Sequence, residues 1–269
     1  MTFHHGKWGR PPAHTTRHKV MTAAITLVLV ALAGGLLGEW LGDRFKQHMP
    51  LLLSFGGAFL LGLCFLHLLP EAFEMNPHAG QWVVAGFLIQ IGLEYLSKGM
   101  EHGHVHGNRF GIVAFLSLCL HALIEAMPFG LDAAAVVHDH AHVHDHSGHH
   151  HHHHHVGEGQ WALLAGIALH KLPVALALMT ILKATISSVM RRWGWIVFFA
   201  VVPVIGMAIA GTLPQVPWVF GALNGVLVGI LLHIATTILF ETADGHDFNG
   251  RKLLTVLAGL LMSWLASPH

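Results

Sequence analysis

The chain has 269 residues, of which 54% are hydrophobic and 10% are charged, well below the roughly 25% charged residues of soluble domains. This composition excludes an ordinary water-soluble fold. The 14 basic and 14 acidic residues balance, so the chain lacks the basic field with which nucleic-acid-binding proteins gather their ligand.

Apolar runs of membrane-spanning length follow one another along the chain. A bilayer core about 30 Å thick requires about 20 apolar residues of helix, and about eight runs approach this length. They cover residues 21–40, 51–69, 82–96, 110–131, 161–182, 195–213, 219–240 and 253–265, of which the third and the last are short. The predicted fold class is an all-α membrane protein, with a polar N-terminal tail (1–20) and a single polytopic membrane domain (21–269).

Basic residues in the connections indicate the orientation, since short cytoplasmic loops are rich in Lys and Arg. The connections after the first, third, fifth and seventh spans hold Arg44, Lys46, Lys98, Arg109, Lys183, Arg191, Arg192, Arg251 and Lys252. The other three connections hold none, which predicts that both termini lie outside. The N-terminal tail disagrees, because it carries Lys7, Arg10, Arg17 and Lys19, but four agreeing connections outweigh it.

Ionisable side chains inside the spans concentrate in the fourth and fifth. His121 and Glu125 are four residues apart and share a helix face, and His170 with Lys171 comes just before Pro173. A charge at mid-membrane costs about 2.5–3.5 kcal/mol, so these groups need partners. Imidazole and carboxylate suit a zinc-like ion. The sequence therefore predicts a metal site of His121, Glu125 and His170, and the alternative is a metal-free polar clasp that includes Lys171.

Two prolines near these residues predict local opening of the helix backbone. A proline lacks the backbone N–H and clashes with the carbonyl four residues earlier. We expect Pro173 to expose the carbonyl of Leu169, and Pro128 to expose that of Ile124.

The seventh span carries small residues at four-residue spacing. Gly221, Gly225 and Gly229 lie on one helix face. We interpret this stripe as a surface for close helix packing, without a chemical role.

Histidine dominates the outer connection between the fourth and fifth spans. Every second residue from His138 to His146 is histidine, and a run of seven follows. The loop 132–158 is predicted to be disordered and to gather or buffer metal outside. An expression tag is the alternative explanation of the run, which nevertheless lies internally. The candidate ligands are His138, His140, His142, His144, His146, His149, His150 and His151, and His102, His104 and His106 lie in an inner loop.

Weaker candidates mark a possible entrance or exit for an ion. His67 and Glu71 end the second span and could form an entrance. The alternative is that they merely form a solvated helix end. His233 lies deeper in the seventh span, where a neighbouring helix could equally satisfy it. Glu241 and His246 belong to a hydrophilic cluster that is either an exit or merely a loop.

Together these motifs resemble the ZIP family of zinc and iron permeases. The resemblance covers all the spans: HLLPEA ends the second, His-x-x-x-Glu lies in the fourth and His-x-x-Pro in the fifth. Two departures stand out. Ala122 and Ile124 replace Asn and Pro of the usual His-Asn-x-Pro-Glu-Gly, and Val174 stands where the family usually has Glu.

The resemblance implies a ZIP-like bundle in the cell membrane (inner or plasma membrane) that takes up a divalent transition metal by alternating access. Spans four and five would belong to the moving part. Since one bridging carboxylate is missing, we expect a single-ion site, with Lys171 in place of a second cation. Our hypothesis is that Lys171 balances Glu125 and moves a proton, so Lys171→Met would change the pH dependence of transport.

The expected cargo is Zn²⁺, with Fe²⁺, Mn²⁺ and Cd²⁺ as other possible ions and no organic cofactor. The expected partners are divalent metal ions and the lipid bilayer, with a possible homodimer and no nucleic acid. A membrane-embedded zinc hydrolase is the main alternative, but no HExxH is present and the histidines lie at mid-span. A metal exporter or a metal sensor is a further alternative. The sequence thus favours a transporter over an enzyme.

Overall fold

The computed structural model of the protein describes residues 13–45, 48–97, 111–131, 158–241 and 250–266, and every regular element in them is helical. The helices are α1 (Ala13–Phe45), α2 (Met49–Leu63), α3 (Leu69–Met75), α4 (Ala79–Ser97), α5 (Ile112–Ala126), α6 (Glu158–Thr185), α7 (Val189–Ala210), α8 (Pro217–Glu241) and α9 (Gly250–Leu265). The first helix begins within the predicted polar tail. A π-helical turn (Cys64–Leu68) joins α2 to α3, and a 3₁₀ turn (Met127–Gly130) follows α5.

Six segments within the described ranges are long and apolar enough to cross a membrane. They are His18–Leu41, Met49–Met75, Ile112–Gly130, Trp161–Thr185, Val189–Ala210 and Pro217–Leu239. By length and composition the chain is therefore an all-α, multi-pass membrane protein.

The six segments are fewer than the eight spans predicted from the sequence. The other two predicted spans correspond to α4 and α9. Gln81, Gln90 and Glu94 lower the hydropathy of α4. The 16 residues of α9 extend over about 24 Å, which is shorter than the bilayer core.

Burial follows the pattern of a protein whose outer surface meets an apolar solvent. Large apolar side chains such as Leu29, Leu88 and Leu254 are more than half exposed. Gln90 and His121, in contrast, are buried between helices. Polar groups thus lie inside the bundle, as expected when lipid surrounds it.

One group of helices comprises α1, α5, α6 and α7, and glycines bring their backbones close together. Gly34 of α1 lies against the Leu172 carbonyl of α6, and Gly206 of α7 lies against the Leu123 carbonyl of α5. A side chain at either glycine would meet backbone atoms. These contacts fix α5 and α6, which carry the predicted site.

The second group comprises α2, α4, α8 and α9. Gly229 of α8 lies against the Val83 carbonyl of α4, and Gly259 of α9 lies against the Phe55 carbonyl of α2. The predicted glycine stripe of α8 is therefore confirmed as a packing surface. The short helices α4 and α9 each pack along a membrane-length helix in this way.

Ionic and polar contacts mark the two ends of the bundle. At one end, Nη2 of Arg192 at the start of α7 lies 2.8 Å from Oε1 of Glu39 on α1. Lys183, near the end of α6, donates to the backbone carbonyl of Glu39. At a different junction, Asn76 after α3 donates to the Trp218 carbonyl of α8 at 3.4 Å. The connections after α1 and α6, both predicted to be cytoplasmic, thus lie at the same end.

Replacing Gly229 by alanine should loosen the contact between α4 and α8. The new Cβ would overlap the Val83 carbonyl and approach the Phe87 amide, and overpacking of this kind costs about 1–3 kcal/mol. Thermal unfolding of the purified protein in detergent measures the effect. Gly92→Ala on α4 is the control, because nothing lies within 4 Å of its Cβ position. Equal unfolding midpoints for the two variants would contradict the prediction.

Candidate metal centre

The ionisable residues predicted from spans four and five lie on α5 and α6 and are almost completely buried. Relative exposure is 2% for His121, Glu125 and Lys171, and 3% for His170. One turn of α5 separates His121 from Glu125, so both side chains project from the same helix face. The structure brings His121 and His170 to one depth, as the sequence predicts.

The distance between His121 and Glu125 fits two ligands that share one ion. Nε2 of His121 lies 3.4 Å from Oε2 of Glu125. Two ligand atoms on a tetrahedral zinc ion, each about 2.1 Å from it, lie roughly 3.4 Å apart. The ring centroids of His121 and His170 are 6.1 Å apart, in an edge-to-face arrangement. Two imidazoles on the same ion have centroids roughly 5–6 Å apart, so these two rings would have to move slightly closer to share an ion.

These residues do not form a complete set of metal ligands. Within the described residues, no group of three or more His, Cys, Asp or Glu side chains converges closely enough to hold a metal ion. Oε1 of Glu125 is buried and has no hydrogen-bond partner in that part of the chain. A buried carboxylate oxygen without a donor is costly, and a cation would satisfy it.

A third helix, α4, contributes a residue that the sequence analysis missed. Gln90 is fully buried, and its Oε1 lies 3.1 Å from Nδ1 of His121. A carbonyl acceptor at this position holds the ring proton on Nδ1, which leaves Nε2 of His121 as the atom that faces Glu125. Metal-binding histidines are commonly oriented in this manner. A buried glutamine within an apolar run was the available signal.

Replacing Gln90 by leucine should weaken metal binding at the central group. Leucine removes the acceptor for the Nδ1 proton of His121, and loss of such an orienting partner lowers metal affinity about 10- to 100-fold. The KM for Zn²⁺ uptake into proteoliposomes should rise accordingly. Gln81→Leu, an exposed position on the same helix, should leave KM unchanged. A wild-type KM in Gln90→Leu would count against the assignment.

Lys171, the fourth residue of the central group, faces apolar as well as acidic neighbours. Its Nζ stands 4.7 Å from the centroid of the Phe199 ring. Glu125 and Cys119 are its electrostatic neighbours. The ring face and the carboxylate both stabilise an ammonium group in an apolar interior.

The two prolines act differently from one another. Helix α6 continues through Pro173, and the Leu169 carbonyl faces Gly56 of α2. Pro128 lies in the 3₁₀ turn after α5, where the amide of Met127 donates to the Ile124 carbonyl. The expectation that Pro128 exposes this carbonyl is therefore wrong, because the tighter turn supplies a donor one residue earlier.

The predicted entrance residues lie apart from the central group. His67 falls in the π-helical turn and is half-buried, with the backbone of Ala266 after α9 as a neighbour. Glu71 lies one turn further along, in α3, with Glu74 of the same helix as an electrostatic neighbour. These described neighbours include no residue of the central group.

His233 meets a partner on α4 that sequence reasoning also missed. Its Nε2 pairs with Oε2 of Glu94, and the Phe87 ring lies edge-on at 4.9 Å. A neighbouring helix thus supplies a partner for His233, and its role in an ion pathway stays a prediction. Glu94 follows Gln90 by four residues, the same spacing that marked His121 and Glu125.

The remaining predicted residues lie at or beyond the limits of what the structure describes. Glu241 lies at the limit, as the final residue of α8. His246 and the loop histidines lie outside the described residues, namely His138, His140, His142, His144, His146, His149, His150 and His151, and so do His102, His104 and His106.

Comparison with models of known protein families and with curated proteins finds no match. The resemblance to the ZIP family therefore rests on the motifs of the chain itself and stays a prediction.

Proposed function

We propose that the protein transports a divalent transition-metal ion across a cell membrane through the central group of His121, Glu125, His170 and Lys171. The observation that carries the proposal is the burial of these four ionisable side chains between membrane-length helices, at 2–3% exposure. Such groups are costly in an apolar interior and typically mark ion pathways. The ligand-like spacing of His121 and Glu125 supports the same conclusion.

The ligand types favour zinc among the candidate ions. Two imidazoles and a carboxylate suit Zn²⁺, and Fe²⁺, Mn²⁺ and Cd²⁺ use similar ligands. We propose that His121, Glu125 and His170 close around the arriving ion. Three protein ligands then leave a coordination position for water, so the ion can exchange. A transport site needs this exchange, whereas a structural zinc site with four protein ligands holds its ion.

The charge of Lys171 explains how the site can remain in the membrane without an ion. We propose that its ammonium group offsets the negative charge of Glu125 in the resting protein, since the two groups are electrostatic neighbours. An arriving divalent ion then competes with the ammonium group for the carboxylate. We propose that Lys171 takes the place that a second metal ion has in relatives with two carboxylates, so that one ion binds at a time.

The proposed topology has about eight spans, with α4 and α9 as the short ones and both termini outside. In this orientation the His-rich loop 132–158 collects metal outside, and uptake delivers it to the cytosol. The central group belongs to the first helix group and borders the second, since His121 of α5 contacts Gln90 of α4. Relative movement of the groups would expose the ion to each side in turn.

Metal uptake by proteoliposomes tests the proposal. Vesicles containing the purified protein should take up Zn²⁺ saturably, with Fe²⁺, Mn²⁺ and Cd²⁺ tested in parallel, while empty vesicles should not. No flux of any of these ions, in either direction of the gradient, would overturn the proposal.

A further inference from the structure

Glu94 and His233 form a second imidazole–carboxylate pair, between α4 and α8. Nε2 of His233 and Oε2 of Glu94 share a hydrogen bond. Their side chains are 21% and 14% exposed, compared with 2% and 3% for Glu125 and His121. The pair thus offers an imidazole nitrogen and a carboxylate oxygen, the ligand atoms of a transition-metal site, at a place less deeply buried than the central group.

One face of α4 connects this pair to the central group. Gln90 and Glu94 are four residues apart, so they share a face and lie about 6 Å apart along the axis. Gln90 contacts His121 through its Oε1, and Glu94 contacts His233 through its Oε2. Polar groups therefore follow one another from the central group toward the C-terminal end of α4.

The helices that carry the pair are closely packed. The backbones of α4 and α8 approach each other where Gly86 meets the Val226 carbonyl. The Phe87 ring stands perpendicular to the His233 imidazole, with 4.9 Å between the ring centroids. This ring contact supports the imidazole independently of Glu94, as a preorganised ligand requires.

We infer that Glu94 and His233 form a second binding station for the transported divalent cation, which receives the ion from the central group before release. The inference rests on the proposed function. Nε2 of His233 and a carboxylate oxygen of Glu94 bind the ion, and water fills the other positions. The proton shared between these atoms moves to Nδ1 of His233 or to water. With two protein ligands the station holds the ion weakly. In the proposed topology it lies on the cytoplasmic side.

The Glu94→Gln substitution distinguishes a cation-binding role of Glu94 and His233 from a purely structural one. Glutamine keeps a hydrogen bond to His233 but removes the negative charge that a cation needs. We expect the maximal rate of Zn²⁺ uptake to fall at least about tenfold. The KM should change little, because the external ion meets the central group first, and the unfolding midpoint should stay near that of the wild type. Glu74→Gln, an exposed glutamate on α3, is the matched control. Wild-type uptake by Glu94→Gln would overturn the inference.

Anomalous X-ray scattering from crystals of the full chain grown with Cd²⁺ locates the ion directly. We expect a peak between Glu94 and His233 that is absent in Glu94→Gln. A peak at His121, Glu125 and His170 without one at Glu94 would overturn the second station alone. A peak at Glu94 without one at the central group would support the station and contradict the proposed transport site.

Discussion

Replacing Glu125 by glutamine should abolish Zn²⁺ uptake, with a loss of at least about 100-fold, because loss of even an outer partner of a metal ligand costs 10- to 100-fold. Glutamine has nearly the shape of glutamate, so the packing between α5 and α6 should persist. The substitution removes the only buried carboxylate that lies beside His121 in the described residues. It also leaves the ammonium group of Lys171 without its acidic partner.

Glu74→Gln provides the control for this experiment, since it makes the same chemical change at an exposed position. Thermal unfolding and size-exclusion chromatography establish that both variants are folded. A metal-free polar clasp between α5 and α6 makes the opposite prediction, namely reduced stability with preserved flux. Flux that survives both Glu125→Gln and His121→Ala would therefore reject the transport site.

Replacing Lys171 by methionine should make the site bind metal more tightly and release it more slowly. The ammonium group repels a divalent ion, and it competes with that ion for the carboxylate of Glu125, its electrostatic neighbour. Without the ammonium group, we expect KM for Zn²⁺ uptake to fall at least about tenfold. The maximal rate should fall as well, since the ion leaves a site of higher affinity more slowly.

Uptake is the appropriate measurement here, because metal binding by the His-rich loop, as its composition predicts, would obscure equilibrium binding at the central group. Lys183→Met on the same helix is the control, since Lys183 is exposed and lies more than two turns beyond the central group. An unchanged KM in Lys171→Met would show that the ammonium group does not act on the ion. The protein would then lack the proposed substitute for a second metal.

The relation between α4 and the central group shows where prediction from sequence reached its limit. The apolar run was recognised, and Gln90 and Glu94 could be read within it. Their partners, His121 and His233, lie 31 and 139 residues further along the chain. Nothing in the local pattern of α4 indicates which helices it touches.

The two corrections have different causes. The length of α9 and the polarity of α4 leave only six of the predicted eight spans in the membrane-length class within the described residues. The 3₁₀ turn at Met127 satisfies the Ile124 carbonyl that Pro128 was expected to expose. The first outcome follows from length and composition, whereas the second depends on how a helix ends.

By itself the sequence determined the helical, membrane-embedded class and the shared face of His121 and Glu125, because hydropathy and the 3.6-residue period are local properties of the chain. It also indicated that His121 and His170 meet, since both lie midway along antiparallel spans. Only the tertiary structure decided that Gln90 orients His121, that Lys171 lies among Glu125, Cys119 and Phe199, and that Glu94 pairs with His233. These contacts join different helices, and their choice depends on the close glycine packing of the whole bundle.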